Sequence, residues 1–177
     1  MSSPTAAVHA DATVVLTAWE APDAAQSAIR EALLAYLAVR DDGCSRSCET
    51  GHLTASALVV DDAGENALLT LHPRVGRWVQ LGGHIEPEDT TLAGAALREA
   101  TEESGIEGLT ISGSPLHLDV HPVTCSLGVP TRHLDVRYFV RAPAGAREVR
   151  SEESVDLRWW PLAQLPDAVA FGRALAG

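Results

Sequence analysis

The sequence predicts one α/β protein of the mixed, α+β kind. Two apolar segments, residues 53–60 and 67–72, flank an Asp-Asp-Ala-Gly turn and are typical of paired strands. A glycine pair leads into a helical pattern over residues 90–104. Beyond it, residues 117–121 and 133–138 alternate polar and apolar side chains, which is the pattern of half-buried strands. Helix and strand signals therefore intermix along the chain.

The N-terminal part is expected to be an extension of residues 1–50, ahead of a main domain over residues 51–177. Its first dozen residues are small and polar, which predicts little fixed structure. Pro22 and Asp23 suit the first turn of one helix that runs to about Asp41. The apolar stripe of that helix would pack on the sheet, or else form a dimer face or a substrate wall.

Composition limits the partners and the compartment. The chain carries 13 basic and 24 acidic residues and a formal net charge of −11, which argues against nucleic-acid binding. It has no apolar run long enough for a membrane span and no signal-peptide pattern. An odd cysteine count, three, favours a reducing cytoplasm over a disulfide framework. Cys44 and Cys48 with His52 lack common zinc spacing, so reduced loop thiols are favoured over a metal site.

The segment of residues 90–104 carries the strongest chemical signal. Read as a helix, it places Glu99, Glu102 and Glu103 on one face, where like charges repel. The negative end of the helix dipole adds to this cost near Gly105, where the helix should stop. A hard divalent cation such as Mg²⁺ or Mn²⁺ would offset both costs, because it prefers oxygen ligands. The alternative is a solvated acidic face.

These residues extend into a longer pattern that resembles the signature box of the Nudix hydrolases, the MutT-like enzymes. That box reads Gly, five residues, Glu, seven residues, and then Arg-Glu-apolar-x-Glu-Glu-x-Gly-apolar. Gly83 matches the leading glycine, and the stretch from Arg98 to Ile106 matches the second half in full. The first half departs from the pattern, because Asp89 replaces the glutamate and eight residues separate it from Arg98. We interpret this as one replacement and one inserted residue in the loop before the helix.

The resemblance implies the Nudix fold, a mixed β-sheet sandwiched between helices, here with an extra N-terminal helix. It implies cleavage of the diphosphate of a nucleoside diphosphate linked to another moiety, such as a nucleoside triphosphate, ADP-ribose or a nucleotide sugar. The three glutamates would be catalytic and would bind the metal, with the backbone carbonyl of Gly82 completing the metal shell. Arg98 would pair with the carboxylates and fix their rotamers, and Glu86 is a candidate for ordering them from the loop. A homodimer is compatible with the resemblance.

A second group of candidates comes from the two alternating segments. If they pair as a hairpin, their polar side chains share one face. That face would be a wall of the substrate pocket or a source of the catalytic base, or else the solvated side of an antiparallel sheet. Its members are His117, Asp119, His121, His133, Asp135 and Arg137.

The last part of the chain offers one more candidate. Glu153 stands six residues before Trp159, which resembles a late family segment whose acidic residue reaches the metal or acts as the base. A solvated loop charge is the alternative, and residues 162–176 are expected to form a terminal helix. Two other functions stay open. One is a nucleotide-sensing module that does not hydrolyse, and the other is an isoprenoid diphosphate isomerase, although nothing around Cys125 matches the latter.

Overall fold

The computed structural model describes residues 5–73, 76–124, 128–152 and 154–166. These residues form three α-helices, seven strands and a short 3-10 helix. In chain order the elements are α1 (Ala6–Ala18), α2 (Ala24–Leu37), β1 (His52–Val60), β2 (Asn66–His72), β3 (Arg77–Val79), β4 (Leu81–His84), α3 (Leu92–Ser104), β5 (Thr110–Thr124), β6 (Pro130–Arg141), β7 (Asp156–Pro161) and the 3-10 helix Leu162–Gln164.

All seven strands belong to one sheet, with the order β3-β2-β1-β6-β5. Strand β4 also pairs with β1, and β7 pairs with β2. β1 and β6 run parallel, whereas the other strand pairs of the described ranges are antiparallel. The predicted mixed sheet with helices is therefore confirmed. Every residue of the central β1 is buried, the polar His52, Thr54 and Ser56 as well as the apolar residues that alternate with them.

The three helices share one core with the sheet. Val8 of α1, Leu33 of α2 and Leu92 of α3 are buried in the same cluster as Leu53 of β1 and Leu134 of β6. The opposite face of the same strands carries His52, Thr54 and Ser56 in β1 and His133, Asp135 and Arg137 in β6, which are partners in the β1–β6 register. The helices thus cover one face of the sheet at these positions and leave a polar face on the other side.

The N-terminal region differs from the expectation of one helix. It contains two helices, and the first begins within the dozen residues that were expected to lack structure, so that expectation was wrong. Val8, Ala12 and Leu16 repeat every fourth residue and are fully buried, which stabilises α1 against the core. Asp23 caps α2 as its position suggested, since its side chain accepts a hydrogen bond from the Gln26 N–H at 2.8 Å.

The ends of the chain's other elements show smaller differences. Helix α2 ends at Leu37 rather than near Asp41. Strands β5 and β6 extend beyond both ends of the alternating segments that predicted them. In the segment expected to form a terminal helix, Leu162–Gln164 is a 3-10 helix, and residues 167–176 lie outside the described ranges. Among the described helices, none combines the length and apolarity that a membrane crossing needs.

Candidate active site

Helix α3 is fixed at both ends by its own sequence. Thr91 caps the N-terminus, because its hydroxyl accepts the Gly94 N–H at 3.0 Å. Gly105 ends the helix in the left-handed conformation, with φ of 64°, and its N–H donates to the Thr101 carbonyl. The apolar side of α3 is buried on the sheet, and this orientation leaves the glutamates at the edge that faces β4. Its buried apolar residues are Leu92, Ala95, Ala96 and Ala100.

The glycine pair of β4 lets its backbone approach the glutamates closely. The Gly82 N–H donates to Glu103 Oε2 at 2.9 Å. A Cβ on Gly83 would lie 2.6 to 2.8 Å from the carboxylate atoms of Glu99, so any larger residue would displace that carboxylate. Gly82 has φ of +150°, and a Cβ there would lie 2.5 Å from Cβ of Ser56. Gly83 is therefore required by the approach of α3 to β4, whereas Gly82 is required by the close pairing of β4 with β1 and by its positive φ.

Arg98 links the parts of this region through a dense set of hydrogen bonds. Its Nη1 donates to Glu99 and to Glu102 at 3.1 Å each. Its Nε and Nη2 donate to the two carboxylate oxygens of Asp89 at 3.1 and 2.8 Å, and Nη2 also donates to the His84 carbonyl at 3.0 Å. The hydrogen bonds that Arg98 donates to Asp89 are the main cause that raises the pKa of Arg98. The guanidinium stays charged and holds the carboxylates of Asp89, Glu99 and Glu102 in fixed rotamers.

Asp89 is the residue at which the signature box departs from its pattern. Its side chain is 7% exposed and accepts hydrogen bonds from Arg98 and from the Glu86 N–H, the latter at 2.8 Å. Burial by itself would raise the pKa of Asp89, but the hydrogen bonds from Arg98 and the Glu86 N–H outweigh it and lower the pKa. Asp89 therefore still forms a bidentate pair with Arg98, despite its shorter side chain and the residue inserted before the helix. Glu86 contributes to this arrangement through its backbone.

We call Glu99, Glu102 and Glu103, together with Arg98 and Gly82, the glutamate centre. The side chain of Glu99 is 12% exposed and that of Glu102 is 59% exposed, and the residue Glu103 is buried. Carboxylate oxygens therefore gather at one edge of β4 with the backbone beside them. Such an oxygen-rich set fits a hard divalent cation, which is bound by a few carboxylates while substrate phosphate and water fill the other positions.

The polar face predicted for the two alternating segments is present. In the β5–β6 register His117 lies opposite Arg137, Asp119 opposite Asp135 and His121 opposite His133. This face is only partly exposed to solvent, because Asp135 and Arg137 are buried. Asp135 accepts the hydroxyls of Thr54 and Ser56 at 3.0 and 2.6 Å. Burial lowers the pKa of Arg137, and the nearby carboxylates of Asp135 and Asp119 oppose that shift.

Asp119 and His121 form the more open part of this face. The His121 Nδ1 lies 2.7 Å from Asp119 Oδ2, and both side chains are nearly half exposed. This hydrogen bond raises the pKa of His121 and lowers that of Asp119. Burial instead lowers the pKa of His117, whose Nε2 lies 3.0 Å from Gln26 Nε2. The two histidines of β5 therefore differ in the ease with which they carry a proton.

Sequence reasoning missed a cluster of three imidazoles on the same face. We call His52 of β1, His84 of β4 and His133 of β6 the histidine cluster. Each pair of rings has centroids 5.1 Å apart. Burial and the neighbouring histidines lower the pKa of His133 to about 3. A signal was present in the sequence, because His52, Thr54 and Ser56 occupy every second position at the start of β1. The apolar residues between and after them made the segment resemble a strand that is apolar on both faces.

The remaining predicted candidates are the cysteines and the late acidic residue. Cys44 and Cys48 are free and buried, and burial raises the pKa of the Cys44 thiol to about 12. Cys48 Sγ accepts Arg40 Nη2 at 3.0 Å, and His52 belongs to the histidine cluster rather than to a site with the two thiols. Glu153 and Cys125 lie outside the described residues.

Comparison with known proteins decides the family. The family model described as the NUDIX domain matches residues 50–175. The chain belongs to the Nudix hydrolase family. It is therefore a hydrolase acting on phosphorus-containing acid anhydrides. A search among curated proteins found no match to the chain.

Solved structures agree on the fold. A NUDIX-family hydrolase from Clostridium perfringens has a TM-score of 0.55 and 23% identity, covering 70% of this chain and 97% of its own. The MutT protein from Methanosarcina mazei Go1 has a TM-score of 0.55 and 19% identity, covering 71% of this chain and 93% of its own. The NUDIX domain of Shewanella oneidensis NrtR, solved in complex with ADP ribose, has a TM-score of 0.53 and 22% identity, covering 81% and 97%. At these identities the likeness establishes the Nudix fold.

Proposed function

We propose that this chain is a divalent-metal-dependent pyrophosphohydrolase that cleaves the diphosphate of a nucleoside diphosphate linked to another moiety. Nucleoside triphosphates, ADP-ribose and nucleotide sugars belong to this substrate class. The observation that carries the proposal is the packing of Glu99 and Glu103 against Gly83 and Gly82, with Arg98 holding the carboxylates. Repulsion between these carboxylates is a cost that a bound cation would remove.

The glutamate centre would hold Mg²⁺ or Mn²⁺ through Glu99, Glu102, Glu103 and the Gly82 carbonyl. A bound ion of this kind neutralises phosphate charge and lowers the pKa of a coordinated water. The chain's own contribution is orientation, because Arg98 fixes the rotamers of Glu99 and Glu102 before a ligand arrives. Such prior ordering reduces the reorganisation that the reaction requires.

The rest of the chemistry requires a general base and a wall for the substrate. The base would be Glu99 or Glu102, Glu153 or a histidine of the polar face, since each type can accept a proton from water. The polar residues of β5 and β6 would line the substrate side, with the half-exposed pair Asp119–His121 the most open to a ligand. The substrate-binding set proposed here is His117, Asp119, His121, His133, Asp135 and Arg137.

Further parts of the proposal concern organisation and setting. Residues 1–50 would be an N-terminal extension and residues 51–177 the hydrolase domain, with a homodimer as the assembly. The free, buried thiols of Cys44 and Cys48 favour a reducing cytoplasm. The acidic net charge of −11 argues against nucleic acid as a partner, and small nucleotide derivatives of the kind named for the Shewanella relative are the proposed ligands.

A substrate panel tests the proposal. Release of phosphate or nucleoside monophosphate would be measured for nucleoside triphosphates, ADP-ribose and nucleotide sugars, each with Mg²⁺, Mn²⁺ or EDTA. We expect metal-dependent release from one class, and its identity would name the leaving moiety. Silence across the panel, while a nucleotide still raises the melting temperature, would contradict hydrolysis and favour the sensing module. A terpenoid product in place of released phosphate would favour the isomerase.

A further inference from the structure

We propose that His52, His84 and His133 form a second metal site, for a borderline transition-metal ion such as Zn²⁺. The three residues come from three neighbouring strands, because His133 lies opposite His52 in the β1–β6 register and His84 lies opposite Thr54 in the β1–β4 register. One ligand nitrogen from each ring lies within 4.8 Å of the other two. The strand pairing therefore brings three imidazoles to one point on the polar face.

His52 gives the strongest sign that this point accepts a ligand. It is 1% exposed, and its Nδ1 lies 3.2 Å from the Cys48 carbonyl. With the proton on Nδ1 donated to that carbonyl, Nε2 is left as an acceptor, and it has no hydrogen-bond partner among the described residues. Buried polar atoms are normally partnered, and a metal-binding histidine usually donates its other N–H to a carbonyl or carboxylate. His52 therefore has the two properties of a metal ligand: a buried Nε2 without a hydrogen-bond partner among the described residues, and an Nδ1 that a backbone carbonyl holds in place.

His133 supports the same assignment from the parallel strand. Its Nε2 is also buried and without a hydrogen-bond partner among the described residues. Its ring contacts His52, His84 and His121, so imidazoles surround it on several sides. Three imidazoles packed together provide no acidic or carbonyl partner for one another. A cation that accepts lone pairs from the cluster would satisfy the buried Nε2 atoms of His52 and His133 at once.

The geometry requires a modest contraction. Tetrahedral zinc with Zn–N distances of about 2.0–2.1 Å places its ligand nitrogens about 3.3 Å apart. The nitrogens here lie within 4.8 Å of one another, so no pair needs to close by more than about 1.5 Å. Three histidines leave the fourth tetrahedral position for water or a substrate oxygen. Imidazole ligands select zinc-like ions, whereas the carboxylates of the glutamate centre suit Mg²⁺ or Mn²⁺.

This second site would act on the first through β4. The His84 ring belongs to the histidine cluster, and its backbone carbonyl accepts Arg98 Nη2 at 3.0 Å. Gly82 and Gly83, which contact the glutamates, immediately precede it. A metal on the three imidazoles would fasten β4 to β1 and β6 and so fix the backbone beside the glutamate centre. The histidine site therefore shares no metal ligand with the glutamate centre, but His84 and the glycines before it connect the two sites through β4.

Zinc binding by the full chain tests this proposal without any use of catalysis. Protein stripped with a chelator and dialysed would be titrated with Zn²⁺ by calorimetry, in buffer with excess Mg²⁺ so that the glutamate centre is saturated. We expect about one Zn²⁺ per chain, and Co²⁺ in its place should give the intense visible bands of a tetrahedral nitrogen site. Glu99→Gln should keep this binding.

Variants of the ligands and a matched control complete the test. His52→Gln and His133→Gln should each weaken Zn²⁺ binding by about 100-fold or more, since loss of a supporting residue alone costs about 10–100-fold. His84→Gln should also weaken Zn²⁺ binding by about 100-fold. Because His84 is less buried than His52, this variant still tests the site if a variant at a more buried histidine fails to fold. His72→Gln removes a nearby imidazole outside the cluster and should keep wild-type affinity. Circular dichroism in EDTA would confirm that each variant is folded.

Three results would overturn the proposal. The first is a folded wild-type chain that binds no Zn²⁺ in the presence of Mg²⁺. The second is Zn²⁺ binding that Glu99→Gln abolishes and His133→Gln preserves, which would place the ion at the glutamate centre. The third is inorganic phosphate, in place of Zn²⁺, as the ligand whose binding depends on the three histidines. Each of these results leaves the proposed diphosphate hydrolysis standing, so the two proposals can fail independently.

Discussion

The glutamate centre and the histidine cluster lie on either side of the same short strand, β4, yet they are encoded in opposite ways. The glutamates, their arginine and the glycine pair all fall within residues 82–106, so a local pattern reveals them. The three histidines are spread from residue 52 to residue 133 and meet only through strand register. Local chemistry can thus be read from a motif, whereas chemistry assembled by a sheet requires its topology.

The largest expected effect comes from removing one charge at the glutamate centre. Glu103→Gln should lower metal-dependent turnover by about 1,000-fold or more, because a metal site supplies several kcal/mol to the transition state and each tenfold corresponds to about 1.4 kcal/mol. Glu107→Gln, an exposed residue just beyond α3, is the matched control and should keep wild-type turnover. Full turnover in Glu103→Gln would mean that the carboxylates are not catalytic. Steady-state kinetics with Mg²⁺ gives the answer.

A smaller effect is expected at the residue that supports Arg98. Asp89→Asn replaces an acceptor oxygen with an N–H that faces the guanidinium, so Arg98 loses its bidentate partner. Turnover should fall by about 10–100-fold, the range found when groups that support metal ligands are removed. Asp62→Asn, on an exposed turn, should have no effect. If Asp89→Asn turns over like the wild type, then Arg98 is positioned without it.

Substitutions at the two glycines of β4 should have different effects on turnover and on stability. Gly83→Ala should reduce turnover by displacing Glu99, since the new Cβ would lie within 2.8 Å of its carboxylate. Gly82→Ala should in addition lower the free energy of unfolding by about 1–3 kcal/mol, because its φ of +150° strains any other residue. Gly113→Ala, which meets nothing within 4 Å, is the control. Urea unfolding that finds Gly82→Ala as stable as Gly113→Ala would contradict this account of β4.

The smallest effect concerns the open end of the polar face. NMR titration should give His121 a pKa above the usual value of about 6.5, and Asp119→Asn should lower it. Because the folded-state pKa of His121 is raised, its share of stability is present below about pH 6.5 and is lost as pH rises through the folded pKa. For this half-exposed pair the share should stay under about 1 kcal/mol. If the pKa of His121 is the same in the wild type and in Asp119→Asn, the hydrogen-bonded pair does not form in solution.

The helix of the glutamate centre was predictable because its signals are local. Thr91, the repeated apolar residues and Gly105 mark the start, face and end of α3 within one short segment. Helix α1 was missed, since its buried stripe of Val8, Ala12 and Leu16 lies among other small apolar residues and gives little contrast between its faces. Tertiary packing, rather than the pattern alone, stabilises that helix.

The limits of sequence reasoning at the site have the same physical origin. The box predicted which carboxylates gather, but whether Asp89 reaches Arg98 depends on the path of a loop with an inserted residue. Asp135 was predicted on the polar face, yet its partners Thr54 and Ser56 come from a parallel strand about 80 residues away in the chain. Parallel pairing needs a long crossover, so no local signal announces its register.

Binding of Mn²⁺, followed by EPR, tests whether the glutamate centre is the hard-cation site. Free Mn²⁺ would be counted during titration of the wild type, Glu99→Gln, Glu103→Gln and His133→Gln, each checked for folding. We expect both glutamate variants to lose most Mn²⁺ binding and His133→Gln to keep it. Binding that survives in both glutamate variants, or that disappears in His133→Gln, would contradict the division between the two centres.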